Sequence, residues 1–320
     1  MKRGGLAQVI TVALALGIAA FCGCGGSRRA DSGSEMRGEV RIAGSSTVYP
    51  LSAALAEEFS KLHRNVRVSV SSTGTGGGFS NFFIPGKTDL NNASRPIKDS
   101  ELKKCKKNGV EPIQLQVAID ALSVVANPKA DFADCMTMKE LKKLWGPGDP
   151  PEKWGDVNPE WPDKKMELYG PASTSGTFDY FTETVMGEED AHRSDYQATE
   201  HDNTIVRGVA GSKYALGYFG YAYYESNRKR LKAVKIDDGD GCVEPSMKTA
   251  QNGSYPLSRP LYVYVNKESL QRPEVKAFVE FLIRESASEL VSQVGYVPIT
   301  EEIRNENLRK IGVEPADSGN

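Results

Sequence analysis

Between Gly170 and Phe181 the chain reads Gly-Pro-Ala-Ser-Thr-Ser-Gly-Thr-Phe-Asp-Tyr-Phe, which places four hydroxyl side chains and a glycine where a helix is expected to begin. The first turn of a helix leaves backbone N–H groups without partners and carries the positive end of the helix dipole, so an oxyanion satisfies both. Ser173, Thr174, Ser175 and Thr177 add O–H donors, and Gly176 lets the backbone come close to a ligand. An ordinary hydroxyl cap is the alternative for such a stretch taken alone. Two further stretches share the design: Ser45-Ser46-Thr47 and Thr73-Gly74-Thr75-Gly76-Gly77 each lie between a strand-like and a helix-like segment. Together with Arg95 in Ser94-Arg95-Pro96, they point to a small oxyanion held mainly by neutral dipoles.

Catalytic chemistry fits the same residues less well. Thr73 to Phe79 lacks the Gly-Lys-Ser/Thr ending of a nucleotide-binding loop, so no lysine is placed to reach terminal phosphates. Gly170 to Gly176 does not keep the Gly-x-Ser-x-Gly spacing of a hydrolase nucleophile. His201 and Asp202 could supply a base and its orienter, but neighbours in sequence rarely face each other as a triad requires. A secreted phosphatase or esterase with Ser175 as nucleophile therefore stands as the alternative from another class. His63, His192, His201 and the cysteines show no metal-ligand spacing, so neither a metal nor a cofactor is expected.

The elements that would position these loops follow from hydrophobic period. Glu39 to Gly44 reads as a strand, and Leu51, Leu55 and Phe59 mark the apolar face of a helix running to about His63. Val66 to Ser71 alternates as a strand, a third short strand ends near Ser94, and Lys98 to Asn108 reads as a helix. Val110 to Ala126 is a long strand-like run, Thr137 to Trp145 a helix, and residues 146–164 a Pro/Gly/Trp-rich loop. Met166 to Tyr169 delivers the opening stretch, whose helix runs to about Met186. Asp202-Asn203-Thr204 opens a helix to Gly211, Ala215 to Gly220 forms a strand and tight turn, and Leu231 to Ile236 a further strand. Leu261 to Val265 is a strand, and helices are expected over Pro273 to Glu285, Ala287 to Val294 and Thr300 to Lys310, before a frayed tail from Glu314. Strand, turn and helix repeated in series argue an α/β fold with mostly parallel sheets and ligands outside the carboxyl ends of the strands.

The 320 residues carry 40 Lys and Arg against 42 Asp and Glu, a balance with no footprint for nucleic acid and no polybasic membrane patch. Lys2 and Arg3 precede an apolar run from Leu6 to Phe21 and then Cys22-Gly23-Cys24, the pattern of an export signal. A cysteine after the small Gly23 resembles a bacterial lipobox, which makes Cys24 the expected lipidation site and 1–24 the signal peptide, with Cys22 or simple secretion as alternatives. Residues 25–38 read as a polar tether.

Five segments carry a resemblance in order: Ala-Gly-Ser-Ser-Thr-Val-Tyr-Pro (43–50), Thr-Gly-Thr-Gly-Gly-Gly-Phe (73–79), Asn-Asn-Ala-Ser-Arg-Pro-Ile (91–97), Thr-Ser-Gly-Thr-Phe (174–178) and Ala-Leu-Gly-Tyr-Phe-Gly-Tyr (215–221). The chain resembles the Pst-type phosphate-binding proteins over roughly residues 39 to 300, and within them the branch known from cyanobacteria. The resemblance implies the receptor of a phosphate-importing ABC transporter, a monomer with the type II binding-protein fold. Its two α/β lobes, 39–118 plus 262–320 and 119–261, would be joined by two crossover strands. Its partners would be inorganic phosphate, the permease subunits and, through the lipid, a membrane. Another tetrahedral oxyanion (arsenate or sulfate) and a sensing role remain open.

Carried over by motif, Ser46, Thr47, the backbone N–H of Val48 and Thr75 would bind from one lobe, and Ser173, Ser175, Gly176 and Thr177 from the other. Where many relatives have an aspartate this chain has Arg95, and where they have an arginine upstream of Ser-Gly-Thr it has Pro171-Ala172. Arg95 would then be the cationic fork. Phosphate differs from sulfate at neutral pH by carrying a proton, so selectivity needs an acceptor in the site. Asp202, with Asn203 as partner, is the candidate acceptor, a plain helix cap being the alternative. Among Cys105, Cys135 and Cys242, which allow one bridge and one free thiol, Cys135 and Cys242 are the expected pair because both fall in the middle lobe.

Overall fold

A computed structural model describes residues 36–315 apart from Thr174, Glu189 and Glu200. The expected signal peptide, the Cys22 and Cys24 candidates and the tether up to Glu35 lie outside the described residues. Of the tether, Met36 already packs against the first core, and Gly38 opens the first strand.

The first half of the chain alternates strand and helix: β1 (Gly38–Gly44), α1 (Tyr49–Leu62), β2 (Val66–Ser72), α2 (Thr75–Gly78), β3 (Leu90–Ala93) and α3 (Asp99–Lys107). The long β4 (Pro112–Ala126) leads into β5 (Cys135–Thr137), α4 (Met138–Trp145), α5 (Trp154–Val157), β6 (Glu167–Pro171) and α6 (Gly176–Phe181). Then follow β7 (Gln197–Thr199), α7 (Asp202–Gly211), β8 (Ala215–Gly220), α8 (Tyr221–Asn227), β9 (Lys232–Ala233), β10 (Lys235–Asp237) and α9 (Met247–Gln251). The chain returns through β11 (Ser258–Asn266) to α10 (Pro273–Glu285), α11 (Glu289–Val294) and α12 (Glu301–Lys310).

These strands form one path, β2-β1-β3-β11-β4-β8-β6-β7, with β9 beside β4 and β10 paired with β5 in a separate small sheet. Pairing is parallel in β2-β1-β3 and in β8-β6-β7, and antiparallel wherever β4 or β11 takes part. β4 and β11 are thus the two strands shared by both halves. Each half has its own apolar core. In the first, Leu51, Leu55 and Phe59 of α1 and Phe278 and Leu282 of α10 pack on Val40 and Ile42. In the second, Trp145, Trp154, Phe181, Leu168 and Tyr218 are buried together. Trp145 and Trp154 serve packing.

Three segments depart from what the sequence predicts. Within the loop over 146–164, Trp154 opens the short α5 and is buried, so an apolar anchor organises what composition alone marks as irregular. After Gly220 the chain does not simply turn but continues as α8, although Tyr221-Ala-Tyr-Tyr favours strand by propensity. The strand expected over Leu231 to Ile236 divides into β9 and β10, which pair with different strands in different sheets.

Cys135 and Cys242 form a disulfide, tying β5 to the segment after β10, and Cys105 is a buried free thiol. The bridge joins residues 107 apart in sequence, a long loop whose closure restricts the unfolded chain. Replacing both cysteines by serine should lower stability by about 2–5 kcal/mol in denaturant unfolding. The same loss should appear in the wild-type protein on adding reductant.

Candidate functional site

Two glycines around the second motif are required, one by its backbone angle and one by close packing. Gly74 has φ +71°, and a Cβ on Gly78 would lie 2.2 Å from Asn91 Oδ1 and 2.6 Å from Gly44 Cα. The backbone of α2 is therefore pressed against the end of β1, which carries the first motif. After α2 and after α6 the helix widens into a π turn, at Phe79–Phe83 and Thr182–Met186.

The three motif helices begin differently. Neither α1 nor α2 has a side-chain cap; α1 instead starts with Pro50 in its first turn. Most hydroxyls of the first two motifs are thus not spent as N-caps, which removes the bland account of them. Ser45 is the exception, since its Oγ accepts a long contact from Val48 N–H at 3.4 Å. At α6, by contrast, Ser175 is a true N-cap, its Oγ accepting from Thr177 N–H at 3.2 Å.

Ser45, Ser46, Thr47, Thr75, Ser94 and Arg95 from the first half line a cavity of about 450 Å³ with Lys98, Asp179, Glu183 and Arg259. Gly176 reaches the same place from the second half: a Cβ there would lie 3.2 Å from Thr47 Oγ1 and 3.4 Å from Thr47 Cα. The starts of α1 and α6 therefore meet nearly in contact, and a glycine is what allows it. Thr75 Oγ1 accepts from Ser94 N–H at 3.2 Å and lies 3.1 Å from Ser94 Oγ, fastening the second motif to the loop that carries Arg95.

Arg95 forks onto Glu101, donating at 3.0 and 2.9 Å. Burial pushes the Glu101 carboxyl up, but hydrogen bonds from Arg95 and from Lys98 N–H more than offset this and hold it below the ordinary value. The fork expected of Arg95 for an oxyanion is thus engaged on Glu101 of its own lobe, at the cavity edge.

Other expected residues fall elsewhere. Thr177 and Asp202 line a neighbouring cavity of about 330 Å³ together with Asp120, Tyr223, Ser292 and Tyr296. Ser173 is exposed in the turn before α6 and Asn203 is exposed in the first turn of α7, and neither lines either cavity. Asp202 is not brought to the cavity of Thr47 and Arg95; burial raises the pKa of its carboxyl, with His201 opposing. Val48 is fully buried behind Thr47.

Arg259 and Asp120 were not singled out from sequence. They are cross-strand partners on β11 and β4. Arg259 Nη1 donates to Glu183 at 3.0 Å, and Nη2 lies 3.4 Å from both Asp120 Oδ2 and Thr47 Oγ1. Its guanidinium carbon stands 3.9 Å over the Tyr180 ring. Burial pushes the Asp120 carboxyl up, against the pull of Arg259. Tyr296, on the far side, donates its hydroxyl to Thr47 O. One signal was available: Asp120 interrupts the apolar run of β4, where a lone carboxylate is out of place unless paired.

Behind α6, the His192 ring is boxed by Trp145, Phe178, Phe181, Tyr196 and Tyr218. Burial lowers its pKa from 6.5, so the fold favours the neutral imidazole. The stability this contributes is present above about pH 6.5 and is lost as the pH falls below it, because only the unfolded chain protonates readily. Urea unfolding at pH 5 and pH 7.5 should show that loss, and His192→Gln should flatten it.

Residues 29–286 match the family model described as a PBP superfamily domain. Protein SphX of Synechocystis is 43% identical over 290 residues, covering 89% of this chain and 85% of the relative. The phosphate-binding protein PstS of Staphylococcus saprophyticus is 40% identical over 291 residues, covering 90% and 88%. The crystal structure of a possible phosphate-binding protein from Planctomyces limnophilus matches with a TM-score of 0.82 at 46% identity, over 87% of this chain and 98% of that one.

Proposed function

The chain belongs to the PBP superfamily and, with its SphX and PstS relatives, to the phosphate-binding proteins; on that premise we propose that it holds inorganic phosphate between its two lobes and delivers it to an ABC-type importer. The observation that carries the reading is the meeting of two helix starts from opposite halves, Gly176 against Thr47, with a third at Thr75 lining the same cavity. Helix N-termini and hydroxyls hold a dehydrated oxyanion without a full counter-charge. Arg95 supplies the cation at the edge.

The proposed binding set is Ser46, Thr47, Val48 through its N–H, Thr75 and Arg95 from the lobe of residues 39–118 plus 262–320. Ser175, Gly176 and Thr177 answer from the lobe of 119–261. Neither half is expected to bind well alone.

No chemistry on the ligand is part of this reading. Ser175 Oγ serves as the helix cap of α6, which is the task of a positioning hydroxyl and supports a receptor over a hydrolase. Turnover of a chromogenic phosphate ester would overturn that. The receptor is proposed to be exported and, as a monomer, tethered to a membrane by lipid on Cys24, with the permease as its protein partner. Among the described residues no helix is long and apolar enough to cross a membrane. Cys24→Ser should release the protein into the soluble fraction of a fractionated bacterial host; retention on the membrane would refute the anchor.

Calorimetric titration of the mature protein with phosphate, arsenate and sulfate tests the central reading. Phosphate is expected to bind well below millimolar concentration, and its failure to do so would sink the proposal. Arg95→Ala should weaken phosphate by about 2–5 kcal/mol. Part of that loss comes from Glu101, whose carboxylate would be left unpaired beside an anion.

A further inference from the structure

The balanced total charge conceals a local imbalance. Between Thr73 and Glu111 the chain carries seven Lys and Arg against four Asp and Glu, while the whole chain sums to -2. Of those four carboxylates, Asp89 is buried and bound by Arg272, Glu101 is held by Arg95, and Glu111 is paired with Lys267. Among the described residues only Asp99 of this stretch is left to face the lysines of α3. The total charge implies no basic patch; locally there is one.

The patch is the outer face of α3. Lys103 and Lys107 stand opposite the buried Cys105, Lys104 and Lys106 flank them, and all four are exposed. Among the described residues none of the four is in an ion pair. By contrast, α1, α10 and α12 each pair a cation with a carboxylate three or four residues before it. The helix dipole favours cations in a last turn, but it amounts to about half an elementary charge, too little to balance four. Leu102, 42% exposed, stands one turn before Lys106, so an apolar side chain accompanies the charges.

α3 leads away from the ligand cavity. Lys98, just before it, lines that cavity with Arg95. At its other end the chain enters β4, which runs antiparallel to β11 as β11 does to β3, so β4 enters the sheet from the same edge as β1 and β3. The four lysines occupy the half of α3 nearer that edge. Gly38 opens β1 there, and thirteen residues separate it from Cys24, a span of at most about 50 Å when extended.

Resting on the lipid-anchor reading of Cys24, we propose that this face of α3 docks on an anionic lipid surface, laying the first lobe against the membrane with its ligand cavity uncovered. The tether favours a lipid surface over an acidic protein. An anchored chain keeps the β1 edge within reach of the bilayer, so a contact too weak to hold a free protein is sufficient. Each lysine is attracted to an anionic leaflet within about a Debye length, and Leu102 can enter the interface beside them.

The test uses the chain from position 24 with Cys24→Ser, so that no acyl chain contributes and the result stands whichever way the anchor itself is decided. At low salt the protein should sediment with phosphatidylglycerol vesicles and not with phosphatidylcholine vesicles. Salt at about 1 M should release it, since the Debye length is then about 3 Å. Lys103→Gln, Lys104→Gln, Lys106→Gln and Lys107→Gln together should lower partitioning by about 10²-fold or more, the scale of four lysines near an anionic surface. Lys164→Gln, Lys229→Gln, Lys235→Gln and Lys248→Gln, at exposed positions of the second lobe, remove equal charge and should leave it nearly unchanged. Absence of binding by the parent protein, or equal loss in both variants, overturns the proposal, even if the patch takes up poly-glutamate instead and so belongs to a protein partner. Saturating phosphate should leave the vesicles bound; their release would mean that a headgroup enters the ligand cavity and would overturn the docking face. Phosphate titration should be the same with and without the four α3 exchanges, and its loss in that variant alone would tie the patch to the cavity and overturn the assignment equally.

Discussion

The guanidinium of Arg259 touches both halves of the molecule at once, and much of the site's order depends on it. It meets Asp120 across the two shared strands, Glu183 on the helix continuing α6, the face of Tyr180, and Thr47 just before α1. A cation this enclosed, with its side chain 14% exposed, is tolerable only beside a carboxylate, and Asp120 is tolerable only beside the cation. Each charge is therefore a condition for the other. Together they set a polar floor between two separately packed apolar cores.

Above that floor the constraint is distance. The starts of α1 and α6 come from opposite halves and approach until a side chain on Gly176 would crowd Thr47. On the first half, Gly44 and Gly78 do the same for β1 and α2. These contacts bring helix N-termini toward one place, and the hydroxyls beside them supply directional donors. A site made of backbone dipoles binds an anion while adding little net charge of its own, in keeping with the near-neutral composition of the chain.

Much of the fold was legible from period and punctuation. α1, α7 and α10 are bounded much as their apolar faces and caps imply, and β4 spans the long apolar run. The Cys135–Cys242 bridge joins the two cysteines expected to pair. α8, the division into β9 and β10 and the anchor Trp154 were not legible, because each answers to a partner distant in the chain. Tyr221 packs with Ile119 and Val297, and β9 finds β4 over a hundred residues upstream. Local propensity carries no information about such partners.

The same division runs through the site. The sequence by itself determined the hydroxyl and glycine motifs, their position between strand and helix, and Arg95, because helix starts and tight backbone approaches require particular residue types at particular spacings. Only the tertiary structure decided which of these residues share a cavity, that Arg95 is already forked on Glu101, and that Ser173 and Asn203 stand outside. It alone brought Asp120 and Arg259 together, since they are 139 positions apart and meet only through the antiparallel register of β4 and β11. A charge in an apolar strand signals that a partner must exist, but which residue it is depends on how the strands are paired.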